Sequence, residues 1–400
     1  MSPLNKTESQ CLSVSLLEVN AFEAMQKEWN QLLEGSPANT IFLTWEWTYT
    51  WWQVYGHAHQ LFLLKIQDEQ GTCVGLAPFK IARRYTLGLP YRQIEFIGYC
   101  KSTFPDYLDL IFASGYQENG ILAVWAYLMN HKHLWDTLYF CDIPTESKTH
   151  PRLNQLAEEG GYVPYLENGT ICPYLPIETS WEEYLKSLSP NARYNLQRKE
   201  KRITKSHQLD FEEISGRSDI QKALEEMFLL HKEAWNSKGE QGSFEGHPLN
   251  KIFHRRLVDQ LSELGRVVIY NIKIDGKTAA LLYAYSYNNQ IAYYQMGRAT
   301  QWSEYGIGQV LMKFILQSLF KKGGITAFDF LRGTESYKYH WTKSERINLH
   351  LCIWNQTLWG KIVCFMAKTD RLARKLLRPI RRIVEKALSK RNIKPIANQT

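Results

Sequence analysis

The sequence lacks the cysteine and histidine patterns that mark metal-binding or disulfide-bonded proteins. Its seven cysteines stand far apart, at positions 11, 73, 100, 141, 172, 352 and 364, and no two form a CxxC pair. This spacing argues against a zinc knuckle and against a disulfide scaffold, and it suits a reducing cytoplasm. The histidine pairs in HAH (57–59) and HKH (131–133) have no further ligands at metal spacing, so no metal site is predicted.

Long apolar segments are absent as well. The sequence has no run of 18 or more uninterrupted apolar residues, which a membrane-spanning helix requires. Its first ten residues, MSPLNKTESQ, contain no apolar signal core, so we expect no secretory signal. Hydrophobic residues make up 44% of the chain and aromatic residues 13%, which is enough for packed cores. These features predict a cytoplasmic protein of two to three domains.

The net positive charge of the chain is concentrated at its end. Residues 361–400 hold twelve Lys and Arg against two acids, a net of +10, whereas the whole chain carries +8. Residues 1–360 therefore carry a net charge of about −2. A net charge close to zero over residues 1–360 does not favour binding to the negatively charged backbone of nucleic acids. We therefore expect no DNA partner.

The first half of the sequence predicts mixed helices and strands. Strands are expected at 12–19, 93–98, 107–112 and 138–143, and a hairpin that turns near Gly71 at 61–84. Helices are expected at 21–35, 44–56, 118–131 and 151–160.

The second half predicts the same order of elements more clearly. Helices are expected at 180–188, 189–205, 222–239, 248–265 and 309–323, with Ser-Pro opening the second of them. Strands are expected at 209–214, 266–274, 277–287, 290–299, 325–331 and 348–354. Asp275-Gly276 and Asn288-Asn289 form the turns of an antiparallel meander. The shared order of the two halves indicates a divergent internal duplication.

A glycine loop stands between the strand at 290–299 and the helix from 309. Gly306 and Gly308 allow a ligand to approach the backbone, and the N-terminus of a helix offers unpaired N–H groups and the positive end of its dipole. Such a unit suits a pyrophosphate, although a lone GxG is equally typical of an ordinary turn before a helix. The strand that follows leads into the stretch FDFLRGTESYKYHW (328–341), which places several charged residues among aromatics.

These segments resemble the GCN5-related N-acetyltransferase (GNAT) superfamily. The resemblance is carried by SPNARYNLQRKEKR, LLHKEAWNSKG, IDGKTAALLYAYSYNNQIAYYQMG, YGIGQVLMKFIL and FDFLRGTESYKYHW, within residues 181–354. It is nearest to the duplicated branch with CelD-like (BioF2-like) domains, which is related to the Fem-type peptidyltransferases. It implies an α/β (α+β) fold of tandem GNAT-like domains, each a mostly antiparallel sheet flanked by helices. The expected domains are a degenerate one at 1–175, a catalytic one at 176–357 and a basic helical tail at 358–400.

The resemblance implies an acyltransferase that uses acetyl-CoA or another acyl-CoA and no metal. The pyrophosphate of the donor would lie on Gly306, Gly308 and Gln309, and the pantetheine arm between the splayed strands 290–299 and 325–331. The sequence departs from the family pattern here, because Ser303-Glu304-Tyr305 lacks its first basic or amide residue. Fem-type relatives use aminoacyl-tRNA, so that donor stays an alternative.

Acyl transfer to an amine needs a base, a group that stabilises the oxyanion, and an acid. Glu335 or Asp329 is the expected base, Lys338 the cation, and Tyr337 or Tyr339 the acid. A structural role within the sheet is an equal alternative for Asp329, and His340 is expected to pack as an aromatic residue.

Three further residues are candidates for binding the substrate. His231 shares an apolar helix face with Met227, Phe228 and Trp235, so it points inward or toward the cleft, either as a core residue or as a site residue. The resembled pattern has a histidine at this place. Arg193 and Arg198, on the basic helix 189–205, are candidates for holding an acidic acceptor, against the alternative of a solvated helix face.

The basic tail predicts a surface role. Residues 361–394 place apolar residues at helical spacing among Lys and Arg, with Pro379 as a break, which suits one or two amphipathic helices. These helices are expected either on the anionic inner surface of the membrane or docked on the body of the protein.

The expected acceptor is an amino sugar, another small amine or a glycan of envelope polysaccharide or glycolipid synthesis. A non-catalytic accessory protein of that synthesis is the remaining alternative, and no oligomeric state is predicted.

Overall fold

The chain is described by a computed structural model that covers residues 11–100, 102–237 and 239–391. For residues 374, 375 and 378–391 only the backbone is described. The strands of the first half are β1 (Ser13–Leu16), β2 (His59–Gln67), β3 (Cys73–Thr86), β4 (Leu89–Phe96), β5 (Ile111–Phe112) and β6 (Thr137–Pro144). Its helices are α1 (Val19–Ala24), α2 (Gln26–Glu34), α3 (Trp45–Tyr55), α4 (Gln117–Asn130) and α5 (Thr149–Glu159).

The second half repeats the pattern and ends in one long helix. Its strands are β7 (Tyr165–Pro176), β8 (Leu209–Ile214), β9 (Val267–Ile274), β10 (Lys277–Tyr287), β11 (Gln290–Arg298), β12 (Ala327–Asp329) and β13 (Glu345–Trp354). Its helices are α6 (Trp181–Ser187), α7 (Pro190–Thr204), α8 (Arg217–Asn236), α9 (Pro248–Glu263), α10 (Ile307–Lys322) and α11 (Leu358–Arg391).

The strands of both halves join in one mixed sheet. Their order is β1-β2-β3-β4-β6-β13-β7-β12-β11-β10-β9-β8, with β5 attached to β3. Most neighbours are antiparallel, and within the described residues two pairs are parallel, β4 with β6 and β11 with β12. Each parallel pair follows an antiparallel meander, so the predicted fold of tandem, mostly antiparallel sheets flanked by helices is confirmed.

The two halves exchange strands. β13, the last strand of the chain, lies between β6 and β7, while the far end of β7 pairs with β12. The sequence analysis did not predict β7, whose segment YLENGTICPYLP contains Asn-Gly and Pro and therefore resembles a linker. Because β13 pairs with β6 of the first half on one side and with β7 on the other, and β7 continues to β12, these two strands join the halves into one sheet.

Several predicted elements differ in length for a physical reason. The strand predicted at 107–112 is reduced to β5, and Tyr107, at its predicted start, has a left-handed φ of 57°. The strand predicted at 325–331 ends at Asp329, and Leu331 has a φ of 52°. The predicted break at Pro379 is wrong, because the backbone of α11 runs through that position without interruption. Residues 392–400 of the predicted tail lie outside the described residues.

The last helix, α11, packs partly on the protein and partly faces solvent. Val363 is fully buried, whereas five apolar residues at helical spacing are exposed, namely Leu358, Ile362, Phe365, Leu372 and Leu376. None of the helices in the described ranges combines the length and the apolar character needed to cross a bilayer. The helix thus carries an exposed apolar stripe among basic residues.

Candidate acyl-transfer site

The parallel strands β11 and β12 separate and leave a gap at the centre of the second half. They pair from Gln290 with Ala327 to Ala292 with Asp329, and the pairing stops there. β11 has a bulge at Tyr294, two residues after Ala292. The register with β10 skips Tyr294, which has no partner residue on that strand. A bulge bends its strand and increases the local twist. The backbone groups of β11 beyond Ala292 are therefore free of β12 and available to an extended ligand.

The glycine loop lies at the end of the same strand. A short 3₁₀ turn, Thr300–Tyr305, leads to Gly306, which caps α10 with a left-handed φ of 67°. A Cβ at Gly308 would stand 3.1 Å from the Met296 sulfur, so a side chain there meets β11. The first turn of α10 holds no acid, and its N–H groups and dipole therefore remain favourable to an anion.

The basic helix α7 lies across this loop. The Lys199 ammonium hydrogen-bonds the side-chain oxygen of Gln309, and a Cβ on Gly306 would meet the Lys199 side chain at 3.2 Å. Burial, with the charge of Arg198, lowers the pKa of Lys199. Arg202 donates to the Glu304 carbonyl at 3.3 Å. The sequence analysis quoted this helix but did not single out Lys199, because its contact with the loop spans 110 positions.

The predicted base Asp329 is buried and fully engaged. It accepts hydrogen bonds from the Tyr107 hydroxyl at 2.7 Å, from Arg346 at 2.6 Å and from the Leu331 N–H at 2.7 Å. Burial raises the pKa of Asp329, and the charge of Arg346 opposes this rise. Its contacts connect β12 with the first half and with β13, and its catalytic role stays a prediction.

Lys338 holds the loop that follows β12. Its ammonium donates to the carbonyls of Leu331, Arg332 and Gly333 at 3.1, 2.6 and 3.3 Å, and it pairs with the Glu335 carboxylate at 3.0 Å. Lys338 is 3% exposed, whereas most of the Glu335 side chain faces solvent. The lysine thereby fixes the position of Glu335, and the catalytic assignments of both stay predictions.

Tyr337 lies beside the gap between β11 and β12. It shares a hydrogen bond with Tyr293, the first residue of β11 beyond the parallel pairing, and the charges of Glu335 and Arg298 act on both phenols. Burial raises the pKa of Tyr337 to about 12. The phenol therefore keeps its proton at neutral pH. Tyr339, in contrast, donates to Glu345, and the His340 side chain is exposed rather than packed as predicted.

Arg332 is the residue of this stretch that the sequence analysis missed. It pairs with Asp106 at 2.9 Å and with Asp142 at 3.0 Å, both buried in the first half, and it also donates to the Pro105 carbonyl. Burial raises the pKa of Asp106, and the Arg332 charge opposes this rise. Burial alone would lower the pKa of Arg332, but the two carboxylates raise it well above its usual value. No sequence signal connects residues more than 180 positions apart.

Arg193 and Arg198 occupy different environments on α7. Arg193 donates to the carbonyls of Leu185, Lys186 and Leu188 and so caps the end of α6. Arg198 is exposed on the same helix. The structure therefore gives Arg193 a structural contact and leaves Arg198 available to a ligand.

His231 is 1% exposed, and neither ring nitrogen has a hydrogen-bond partner among the described residues. Its ring packs against Phe244, and a Cβ on Gly242 would stand 2.2 Å from the ring, so the loop lies directly on it. On its other side, α8 approaches Gly297 of β11. Burial lowers the pKa of His231 to about 4, so the ring is neutral at pH 7.

We expect His231→Phe to leave the melting temperature at pH 7 unchanged, because no hydrogen bond is lost. The folded pKa of about 4 lies below the ordinary value, so the wild-type protein loses stability as the pH falls from about 6.5 toward 4. The variant should lose about 1.4 kcal/mol less per pH unit in this window. Thermal unfolding at pH 4.5 to 7.5 measures how steeply the stability depends on pH.

His254→Phe is the control for this variant. It removes hydrogen bonds to Tyr294 and Tyr283 and should therefore lower the melting temperature at pH 7. An equal loss of stability in both variants at pH 7 would contradict the conclusion that the His231 ring makes no hydrogen bond.

Two cavities lie between the sheet of the first half and the last elements of the chain, and the glycine loop lines neither. The larger, of about 1450 Å³, opens between β4, β6, β13 and α11, and a smaller one of about 680 Å³ lies beside it at His59 and Tyr91. None of the predicted site residues lines either cavity. Within the described ranges no cluster of three or more His, Cys, Asp or Glu has an arrangement that suits a metal ion.

Comparison with known proteins agrees with this architecture. Residues 190–339 match the acetyltransferase (GNAT) domain family. The crystal structure of FemX aligns with 88% of this chain and 99% of its own at 12% identity, with a TM-score of 0.57. L-PGS from Bacillus licheniformis aligns with 90% of this chain and 98% of its own at 14% identity, with a TM-score of 0.51. A search of curated proteins gives no match by sequence.

The family match covers the glycine loop, both strands of the gap and the stretch that follows β12. At their low identity, the two solved structures support the fold alone. Residues 190–339 are thus similar to the acetyltransferase (GNAT) domain family, and the fold of the chain is similar to that of FemX.

Proposed function

We propose that the protein is an acyl-CoA-dependent N-acyltransferase that acts on an amino sugar or another small amine. The observation that carries the proposal is the meeting of three features at one place in the second half. The gap between β11 and β12, the acid-free start of α10 and the Lys199 ammonium all lie at the glycine loop. Together they offer backbone groups to an extended arm and positive charge to a pyrophosphate.

Gly306, Gly308, Gln309 and Lys199 would hold the donor. The family pattern has a basic or amide residue before the glycines, where this chain has Ser303. Lys199 brings a cation to the same loop from α7, so the departure in sequence is compensated in space. An acyl-CoA bound there supplies a thioester carbonyl that an amine can attack.

The residues around the gap have environments that suit proton transfer. Glu335 is the exposed carboxylate of the stretch and is the base that we assign, whereas the oxygens of Asp329 are already engaged. Lys338 positions Glu335. Tyr337 keeps its proton at neutral pH and is the assigned acid. His231, whose ring nitrogens have no partner among the described residues and whose backbone lies against Gly297 of β11, is the group that we assign to contact the acceptor.

Lys199→Ala tests the donor site. We expect this variant to bind acetyl-CoA about tenfold more weakly, because a charge-assisted hydrogen bond contributes on the order of 1.5–3 kcal/mol. Isothermal titration calorimetry measures the affinity. Lys201→Ala, an exposed lysine two residues along α7, is the matched control and should bind as the wild type does. Equal weakening in both variants would indicate general attraction to the basic helix and would contradict a specific contact.

An aminoacyl-tRNA donor is the second candidate, and the exposed cations of α7 favour it. Arg198, Lys201, Arg202 and Lys205 are all exposed, which gives this surface a local positive charge that the body as a whole lacks. A donor screen with acyl-CoAs and charged tRNA, with the product identified by its mass shift, separates the two candidates. Binding of acetyl-CoA without any response to charged tRNA supports the first, and the reverse supports the second.

A further inference from the structure

The 1450 Å³ cavity of the first half lies where a second pair of parallel strands separates. β4 and β6 pair at Gln93 with Thr137 and at Ile94 with Leu138, and then diverge. Tyr99 and Tyr139 line the cavity beyond this point, with ring centroids 5.8 Å apart. The helix α11 forms the opposite wall, so the chain covers this gap with its own last helix.

The lining of the cavity is positive. Of the described residues that line it, four are Lys or Arg and none is Asp or Glu; the four are Arg84, Lys361, Lys368 and Arg371. Arg84 is held by the buried Glu95 at 2.6 Å, and Arg371 pairs with Glu167. Lys361 and Lys368 lie two turns apart on the same face of α11, and neither has a carboxylate partner among the described side chains. The cavity thus offers the ammonium groups of these two lysines to an anion.

Arg84 is part of a rigid support beneath the cavity. Its partner Glu95 also pairs with Lys80 at 2.9 Å, and both of these side chains are fully buried. Gln93, which lines the cavity, donates to Glu95 at 2.5 Å. Because a buried pair of this kind is stable only when every group is satisfied, the network fixes the orientation of Arg84.

The lining also has a large apolar part, which continues to the outside. Six aromatic residues line the cavity, namely Tyr91, Tyr99, Tyr139, Tyr165, Trp354 and Phe365. Phe365 is 66% exposed and Leu372 is 58% exposed, and both line the cavity while they belong to the apolar stripe of α11. An occupant can therefore place a charged group inside and extend an apolar part along the helix.

We propose that this cavity binds an anionic amphiphile, a molecule with a phosphate or carboxylate group and a long apolar chain. The volume exceeds that of common drug-sized pockets, which suits a ligand of lipid size. The site is separate from the donor site of the second half and does not depend on it. The ligand is either a free amphiphile or a lipid that is taken from a membrane surface.

Titration of the full chain with dodecyl phosphate below its micellar concentration tests the proposal. We expect saturable binding, with weakening of at least about tenfold in the Lys361→Glu, Lys368→Glu double variant. Ala367→Trp, which fills the cavity without a change of charge, should weaken binding as strongly. The matched control is the double variant Lys27→Glu, Lys343→Glu, two exposed lysines elsewhere, which should bind as the wild type does.

The proposal is overturned if the wild type does not bind dodecyl phosphate, if both double variants weaken binding equally, or if inorganic phosphate binds equally well. Co-sedimentation with vesicles of phosphatidylglycerol and phosphatidylcholine then identifies the source of the ligand. Loss of both vesicle and dodecyl phosphate binding in Ala367→Trp supports a membrane lipid. Loss of dodecyl phosphate binding alone supports a free amphiphile, and loss of neither overturns the proposal.

Discussion

Replacing Arg332 with Leu is expected to destabilise the protein by about 3–5 kcal/mol, because it leaves the buried carboxylates of Asp106 and Asp142 without their cation. A loss of this size is a large part of the stability of an ordinary protein. The change in the free energy of unfolding is measured by urea denaturation, and the soluble yield gives a second readout. Both should fall together.

Two further variants separate this ion-pair effect from a general effect of losing an arginine. Arg256→Leu removes an exposed arginine of α9 and should change stability by less than about 0.5 kcal/mol. Adding Asp106→Asn and Asp142→Asn to Arg332→Leu removes the uncompensated charges and should recover at least half of the loss. Asn is suitable at position 142, where φ is 56°, because it tolerates the left-handed region. No recovery in the triple variant would contradict the role assigned to this network.

Gly308→Trp is expected to weaken acetyl-CoA binding at least about a hundredfold and to abolish transferase activity, since the side chain would occupy the loop at the start of α10. Binding is measured by calorimetry and activity by the release of free CoA thiol. Lys321→Trp, on an exposed position at the other end of α10, is the control and should retain both.

The melting temperature of Gly308→Trp shows whether the site or the fold is affected. Because a Cβ at this position already stands 3.1 Å from Met296, a modest decrease is expected. Full donor binding in a folded Gly308→Trp protein would place the donor elsewhere.

Local patterns predicted most elements of the fold but not the connections between the halves. The meander from β9 to β11 has clear turns and periodic strands, and Ser189-Pro190 starts α7 as expected. β7 was missed because Asn-Gly and Pro interrupt its pattern, and its stability comes from pairing with β13 and β12 on either side. Such pairing depends on strands that are far away in sequence.

The candidate site was predicted in part for a related reason. The glycine loop and the stretch 328–341 were identified because each is short and continuous in sequence. The contacts that define their roles are long-range, such as Lys199 with Gln309 and Asp329 with Tyr107. The inward position of His231 was predicted from the apolar helix face that it shares. That its ring nitrogens have no hydrogen-bond partner among the described residues is visible only in three dimensions.

The described part of the chain contains two gaps between parallel strands, and we propose that the acyl donor binds in the second. After β4 the next helix, α4, starts about twenty residues later and carries Glu118 in its first turn, whereas α10 follows β11 directly and has no acid there. Hydrogen–deuterium exchange with and without acetyl-CoA compares the two gaps in one experiment. Protection at 293–298 and 304–312, with none at 95–99 and 139–144, is the result that we predict. Protection confined to 95–99 and 139–144 would contradict the claim and place the donor beneath α11.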